Sequence, residues 1–301
     1  MRGWIIYKDN LESLKPEVHA IRRLLEAAPA AGIDLHVYRP DQIDILVNRE
    51  DRKSVLVEGA PTPLPDFLLP RMGSSTTYFA LAVIRHLERL GVPSFNPSFS
   101  IEVVKDKLYQ LQILAQHHFP IPKTMLAKFP VEVNLVEKRI GFPVVVKAIS
   151  GSRGSGVFLS PDKASFKDLM QFFEATNKGA NIIIQEFIES SHGQDLRVFT
   201  IGGRVASIMK RFSTDGSFKA NYSRGGGVEP FEITPEIEWL ALEVSRILNL
   251  DIAGIDLLFD RNGGYKICEV NSSPGFKGME ACCDVDIAQE IFKFVKVRLG
   301  R

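Results

Sequence analysis

The segment Ile252–Asn271, IAGIDLLFDRNGGYKICEVN, leaves the backbone few choices. Two runs rich in Ile, Leu and Val flank Asn262-Gly263, a dipeptide suited to the positive φ angles of a two-residue hairpin turn. With Asn262 and Gly263 as the loop, Asp256 lies directly opposite Glu269, and Asn271 projects from the same face. Two carboxylates facing each other across a ladder repel. Carboxylate and amide oxygens without His or Cys are the donor set of a hard divalent cation, Mg2+ or Mn2+. Asp256, Glu269 and Asn271 are therefore the candidate metal ligands. Two other readings compete: a solvent-facing pair of unrelated acids, and a general acid–base pair. The apolar neighbours Leu257, Leu258, Ile267 and Val270 argue for a buried hairpin against the first. Asn271 adds nothing to the second.

A second hairpin is expected over Asp195–Arg211, around Gly202-Gly203. A two-residue turn there pairs Asp195 with Lys210 and puts Arg197 on the same face. This is either a simple cross-strand ion pair or a basic face for phosphates. Upstream, Phe142–Lys147 reads as a buried strand ending in a lysine, followed by the loop Ser150–Gly156. Glycines at 151, 154 and 156 let backbone N–H groups approach a phosphate, and Lys147 supplies charge. The loop lacks the GK[ST] ending of a Walker A motif, and a flexible surface loop is the alternative. The strand Ile182–Ile188 ends either in backbone groups offered to an adenine or simply as a strand. Asn221 and Arg224 precede Gly225-Gly226-Gly227, which is either a solvated loop or a backbone shaped around an anion.

The first hundred residues alternate strand and helix. Strands are expected at Trp4–Tyr7, Leu35–Tyr38, Asp66–Leu69 and Val92–Phe95, with helices over Pro16–Ala28 and Tyr78–Leu90 and a hairpin over residues 45–57 turning at Asn48–Lys53. That order predicts a small parallel α/β sheet. No GxGxxG follows any of these strands, which argues against a dinucleotide site. A single amphipathic helix is expected over Ile101–His118, stopped by Pro120-Ile121-Pro122. Later helices are expected over Pro235–Leu248 and Asp286–Leu299.

With 37 Lys+Arg against 36 Asp+Glu, the net charge of +1 excludes an overall electrostatic design for nucleic acid or an anionic membrane. No run of about 18 apolar residues occurs, so no transmembrane helix is expected. Three cysteines, none in CxxC spacing, fit a reduced, cytoplasmic chain.

Taken together, these segments resemble the ATP-grasp superfamily, and within it the RimK-type glutamate ligases. The resemblance is carried by VVKDKL around Lys105, VVVKAISGSRGSGV (144–157), QEFI (185–188), GQDLRVF (193–199), FKANYSRGGG (218–227), AGIDLLF (253–259) and CEVNSSPGFKGME (268–280). It implies an α/β fold: an N-terminal lobe over residues 1–97 and two ATP-grasp lobes, 98–189 and 190–301, that clamp nucleotide between them. By resemblance, Lys105, Lys147 and the loop Gly151, Ser152, Gly154, Ser155 and Gly156 contact ATP phosphates. Gln185, Glu186, Phe187 and Ile188 line the adenine hinge, with Asp195, Lys219 and Asn221 also at the nucleotide. Asp256, Glu269 and Asn271 hold two Mg2+ or Mn2+ ions. Lys210, Arg211 and Arg224 serve the γ-phosphate, the acyl-phosphate or an acidic amino acid, and Arg71 faces the acceptor cleft.

The implied reaction activates a carboxylate as acyl-phosphate and joins it to the amine of L-glutamate. The implied acceptor is a protein C-terminus, as in ribosomal protein S6 modification, a growing poly-α-glutamate chain, or a small acid as in N-acetylaspartylglutamate and β-citrylglutamate synthesis. The resemblance also implies a homo-oligomer, a tetramer. A nucleotide-binding regulator and a kinase that stops at phosphorylation are the readings from other classes; the complete set Lys105, Lys147, Asp256, Glu269 and Asn271 argues against a binding-only relic.

Overall fold

Arg2–Ile6, Asp34–Tyr38 and Phe67–Pro70 form a parallel three-stranded sheet with Arg2–Ile6 in the middle. The computed structural model from which this is read describes residues 1–12, 16–47, 54–148, 156–176, 181–220, 222 and 225–301. The helix Pro16–Ala27 buries Val18, Ile21 and Leu24, the stripe that a 3.6-residue period lays along one face. The helix Tyr78–Arg89 starts where Thr77 Oγ1 accepts from the Ala80 N–H and stops before Gly91, whose φ is +86°. Ile43–Ile45 pairs antiparallel with Val55–Val57, as the expected hairpin requires; its turn lies outside the described residues.

Two expectations fail in this part of the chain. Val92–Phe95 makes a single bridge, Leu68 to Ser94, rather than a strand. Pro93 has no N–H to donate, and Asn96 is drawn away to other partners. The helix expected over Ile101–His118 is two helices, Ser98–Lys105 and Lys107–Gln116. Asp106 separates them in an extended conformation (φ −89°, ψ 109°), its carboxylate accepting from the N–H groups of Leu108 and Tyr109. An aspartate satisfies the free N–H groups of a helix start better than it sits inside a helix.

The next unit is an antiparallel sheet in the order Thr124–Leu126, Ile182–Glu186, Val144–Ala148, Val157–Ser160. Helices Val133–Arg139 and Lys163–Thr176 cover it over a core of Val144, Val146, Phe166 and Ile184. The last unit is a five-stranded antiparallel sheet in the order Gly227–Pro230, Arg204–Phe212, Gln194–Ile201, Ile252–Phe259, Tyr265–Asn271. One hydrophobic cluster joins Leu196, Ile208, Ile255 and Leu257 to the helix Pro235–Ile247. Another contains Phe199, Phe276, Met279 and Phe292 and continues into Ile5, Ile21 and Phe67 of the first lobe. The first and last lobes thus share a core.

Buried polar hooks reinforce that shared core. The Asn96 side chain accepts from Ile252 N–H (2.8 Å) and donates to Ile252 O (2.6 Å) and Ser272 O (2.8 Å). Ser273 Oγ donates to Pro70 O, and Gln110 Oε1 accepts from Val270 N–H at 2.6 Å. Among the described residues no helix is long and apolar enough to cross a membrane.

Candidate active site

A cleft opens between the four-stranded and five-stranded sheets, with walls from both. Val145, Val157, Phe187, Ile188, Phe218 and Leu258 give it an apolar side. Phe187 meets the ring edges of His192 and Phe218. This is a slot for a flat aromatic group.

Lys147 enters from the strand Val144–Ala148. Its Nζ donates to Gln185 Oε1 (2.6 Å) and lies 3.5 Å from Cys268 Sγ. Gln185 is buried, and its amide orientation is fixed because Nε2 donates to Thr124 Oγ1. Glu186 is engaged structurally: it accepts from Lys123 N–H and Lys266 Nζ, both at 3.1 Å. Burial opposes its ionisation, but these donors hold its carboxyl below the usual carboxylate range. Gly156 closes the base of the Gly/Ser loop at φ +71°, where a Cβ would come within 3.1 Å of Ala148 Cβ. Gly151, Ser152, Gly154, Ser155, Asn221 and Arg224 lie outside the described residues. Lys219 forms part of the wall and sits over the Phe218 ring at 5.3 Å.

The carboxylate pair forms as expected, by a different route. The turn is one residue longer: Asp260 N–H donates to Gly264 O, and Phe259 pairs with Tyr265. Leu257 then faces Ile267, which taken alone would bring Cys268 opposite Asp256. A bulge at Cys268 absorbs the difference and Asp256 meets Glu269. Cys268 and Glu269 both reach the cleft in consequence.

The second hairpin corrects the predicted pairing. Its two-residue turn is present, with Ile201 against Arg204, but a bulge between Phe199 and Thr200 shifts the ladder by one residue. Asp195 therefore faces Arg211, not Lys210. Lys210 pairs with Leu196 on the opposite face and makes its ion pair with Glu229 at 3.1 Å. It is not part of the cleft wall, unlike Arg211.

At the cleft floor two arginines and two aspartates interlock. Arg211 donates to both oxygens of Asp195 (2.6 and 2.8 Å) and approaches Asp256 at 3.1 Å. Arg197 donates to both oxygens of Asp256 (2.8 and 2.7 Å). Burial disfavours the Asp256 charge, yet Arg197 and Arg211 hold its carboxyl below the ordinary range. Gly254 stands opposite Asn271, and a Cβ there would meet Pro274 Cβ at 2.6 Å.

Lys107, which the sequence reading did not single out, stands in the cleft where Lys105 was expected. Lys105 Nζ donates to Thr76 O at 3.2 Å and is not a wall of the cleft. Lys107, only 11% exposed, is a wall and lies 3.4 Å from Glu269 Oε1. Along an unbroken helix two such residues would point roughly 200° apart. The Asp106 break decides which one reaches the site, and the aspartate before a lysine-led apolar run was the available signal.

Asp256, Glu269 and Asn271 form an oxygen-only donor set that fits a hard divalent cation. Among the described residues no three His, Cys, Asp or Glu side chains cluster into a preformed metal cage. Asn271 lies outside the cleft wall, and neither its buried Nδ2 nor the buried Ser272 Oγ has a hydrogen-bond partner among the described residues. Arg71, buried at the end of Phe67–Pro70, donates to Pro274 O at 2.5 Å and sits over the Phe276 ring. Burial without a carboxylate partner among the described residues brings its pKa down to about 10.

A RimK-like ATP-grasp domain matches residues 104–295, and a RimK pre-ATP-grasp domain matches residues 11–101. The chain is 35% identical over 291 residues to a probable alpha-L-glutamate ligase of Trichodesmium erythraeum, covering 96% of each protein. It is 34% identical over 282 residues to one of Legionella pneumophila, covering 93% of this chain and 92% of the relative. In fold it resembles the ATP-grasp ligase PsnB complexed with minimal precursor, Mg and ADP (TM-score 0.75, 18% identity, covering 99% of this chain and 98% of that one). It also resembles D-alanine–D-alanine ligase from Bacillus anthracis (TM-score 0.72, 18% identity, with the same coverage).

Proposed function

The chain belongs to the RimK-like ATP-grasp family, and from that premise we propose that it joins the amino group of L-glutamate to a carboxylate, converting ATP to ADP and phosphate. The observation that carries this reading is the cleft itself. An apolar slot, three lysines (Lys107, Lys147 and Lys219) and a paired carboxylate hairpin converge between two antiparallel sheets.

ATP lies with its base between Val157, Phe187 and Leu258 and its phosphates toward Lys147 and Lys107. Asp256, Glu269 and Asn271 would hold Mg2+, and the bound cation would offset charge on the phosphoryl oxygens. In the structure Arg197 neutralises Asp256 and Lys107 lies beside Glu269.

The γ-phosphoryl group passes to a carboxylate oxygen, giving an acyl-phosphate and ADP. The glutamate nitrogen then attacks the carbonyl carbon, the carbon–oxygen bond to phosphate breaks, and the amine loses a proton. Arg211, at the junction of both aspartates, faces the charge that develops. Arg71 is a buried cation suited to a substrate carboxylate, and its partner Pro274 follows closely in the chain on Asn271 and Ser272. No side-chain nucleophile is needed. Burial raises the Cys268 thiol, the one sulfur in the cleft wall, and keeps it protonated.

The acceptor is the C-terminal carboxylate of a protein or of a growing glutamate chain; a small acid of the N-acetylaspartate or citrate type is the alternative. The test incubates the protein with ATP, Mg2+ and single amino acids against these acceptors, following phosphate release and product mass. Phosphate release that needs both L-glutamate and an acidic acceptor, with a product heavier by one or more glutamyl residues, is expected. Absence of glutamate-dependent phosphate with every acidic acceptor sinks the proposal.

A further inference from the structure

The helix Lys277–Cys282 ends in two adjacent cysteines that take no part in the cleft. Cys282 Sγ and Cys283 Sγ lie 3.5 Å apart, and Cys283 Sγ lies 3.8 Å from Met279 Sδ. Cys283 Sγ is thus in contact with both other sulfur atoms. Met279 is fully buried, whereas both thiols are partly exposed. The thioether is fixed by the core, and the two cysteines pack at its margin. Cys283 Sγ is further oriented by Ile208 O at 3.4 Å and Cys282 Sγ by Met279 O at 3.9 Å.

Thiolate and thioether donors are soft ligands that select copper(I) over hard cations. A three-coordinate sulfur site needs its donors a little under 4 Å apart, roughly what three bonds of zinc–thiolate length in one plane span. The two spacings made by Cys283 Sγ, 3.5 and 3.8 Å, fall in that range. We propose that Met279, Cys282 and Cys283 form a binding site for one soft monovalent cation of the copper(I) class. Binding replaces the two S–H protons, which pass to solvent, so that two thiolates and one neutral thioether surround the cation. No electron is transferred.

The site is independent of the ligase reaction in its ligands, yet one helix connects the two. Lys277–Cys282 follows directly on the loop 272–276, whose Pro274 carbonyl accepts from Arg71. The competing account is that the thiols act only as small apolar fillers.

The deciding experiment titrates the reduced full-length protein with Cu(I) against a chromogenic Cu(I) chelator, without oxygen. One tightly held Cu(I) per chain is expected in the wild type and in Cys268→Ser. The double variant Cys282→Ser, Cys283→Ser should weaken binding roughly 100-fold or more, and Met279→Leu about 10-fold. Unchanged affinity in the double variant, or loss of binding in Cys268→Ser, overturns the proposal. X-ray absorption of the Cu(I)-loaded wild type stands apart from any variant's folding. A shell of three sulfur scatterers supports the site, and a shell containing nitrogen or oxygen refutes it.

Discussion

The two glycine-turned hairpins of the last lobe depart from regular geometry by the same device and with opposite results. In Gln194–Phe212 a tight turn is followed by a bulge, and every pair beyond it slips by one. In Ile252–Asn271 a longer turn is followed by a bulge, and the two shifts cancel at Asp256 and Glu269. A one-residue slip exchanges the faces of a strand. The first hairpin therefore sends Arg211 into the cleft and Lys210 out of it, while the second keeps its carboxylates where an ideal turn puts them. Register counted from a turn holds only as far as the first bulge.

The largest expected effect falls on the hairpin that kept its register. Glu269→Ala should lower turnover by about 1000-fold with the circular dichroism spectrum intact; an active, folded variant would remove Glu269 from the metal site. Next comes the slipped hairpin. Arg211→Ala strands Asp195 and half of the Asp256 network in the interior, a loss of about 3–5 kcal/mol in urea unfolding. Lys210→Ala, whose partner Glu229 is exposed, should cost under about 1 kcal/mol. Equal losses at the two positions contradict the observed ladder.

A third comparison concerns the helix break. Lys107→Ala should raise the KM for ATP at least about 10-fold, whereas Lys105→Ala should change it less than about 3-fold; the reverse order would return Lys105 to the phosphates. The smallest effect is a pH dependence. Glu186 is held below its ordinary pKa, so its contribution to stability is present above about pH 4.3 and fades as pH falls through the folded value. Glu186→Gln should therefore be less stable than the wild type at neutral pH, and the gap, under about 1 kcal/mol, should close in acid. A gap that widens on acidification contradicts the Lys266 and Lys123 contacts.

Much of the site was legible because its signals are local. The strand carrying Lys147 and the apolar run before Glu186 each state their geometry within a few residues, and Asn262-Gly263 marks the place of a turn though not its length. What was missed depends on competition that a periodic pattern does not display. Asp106 interrupts an apolar repeat that remains helical on both sides. The bulges at Cys268 and beside Phe199 have no compositional mark. Arg197 was expected only to share a face with Asp195; the sheet order sets it against Asp256 by making Ile252–Phe259 the neighbour of Gln194–Ile201. Strand order within a sheet is a long-range fact and leaves no trace in a hairpin's own residues.

Asn96 has a consequence for any attempt to take the molecule apart. By position it closes the N-terminal hundred residues, yet its amide completes the start of Ile252–Phe259 and caps the carbonyl of Ser272. A fragment beginning at residue 98 would leave those backbone groups unpaired in an apolar setting, at about 1–3 kcal/mol for each. The loop between the strand Tyr265–Asn271 and Pro274, which accepts from Arg71, would be the first to relax. The half that carries the cleft thus inherits part of its rigidity from the half that precedes it.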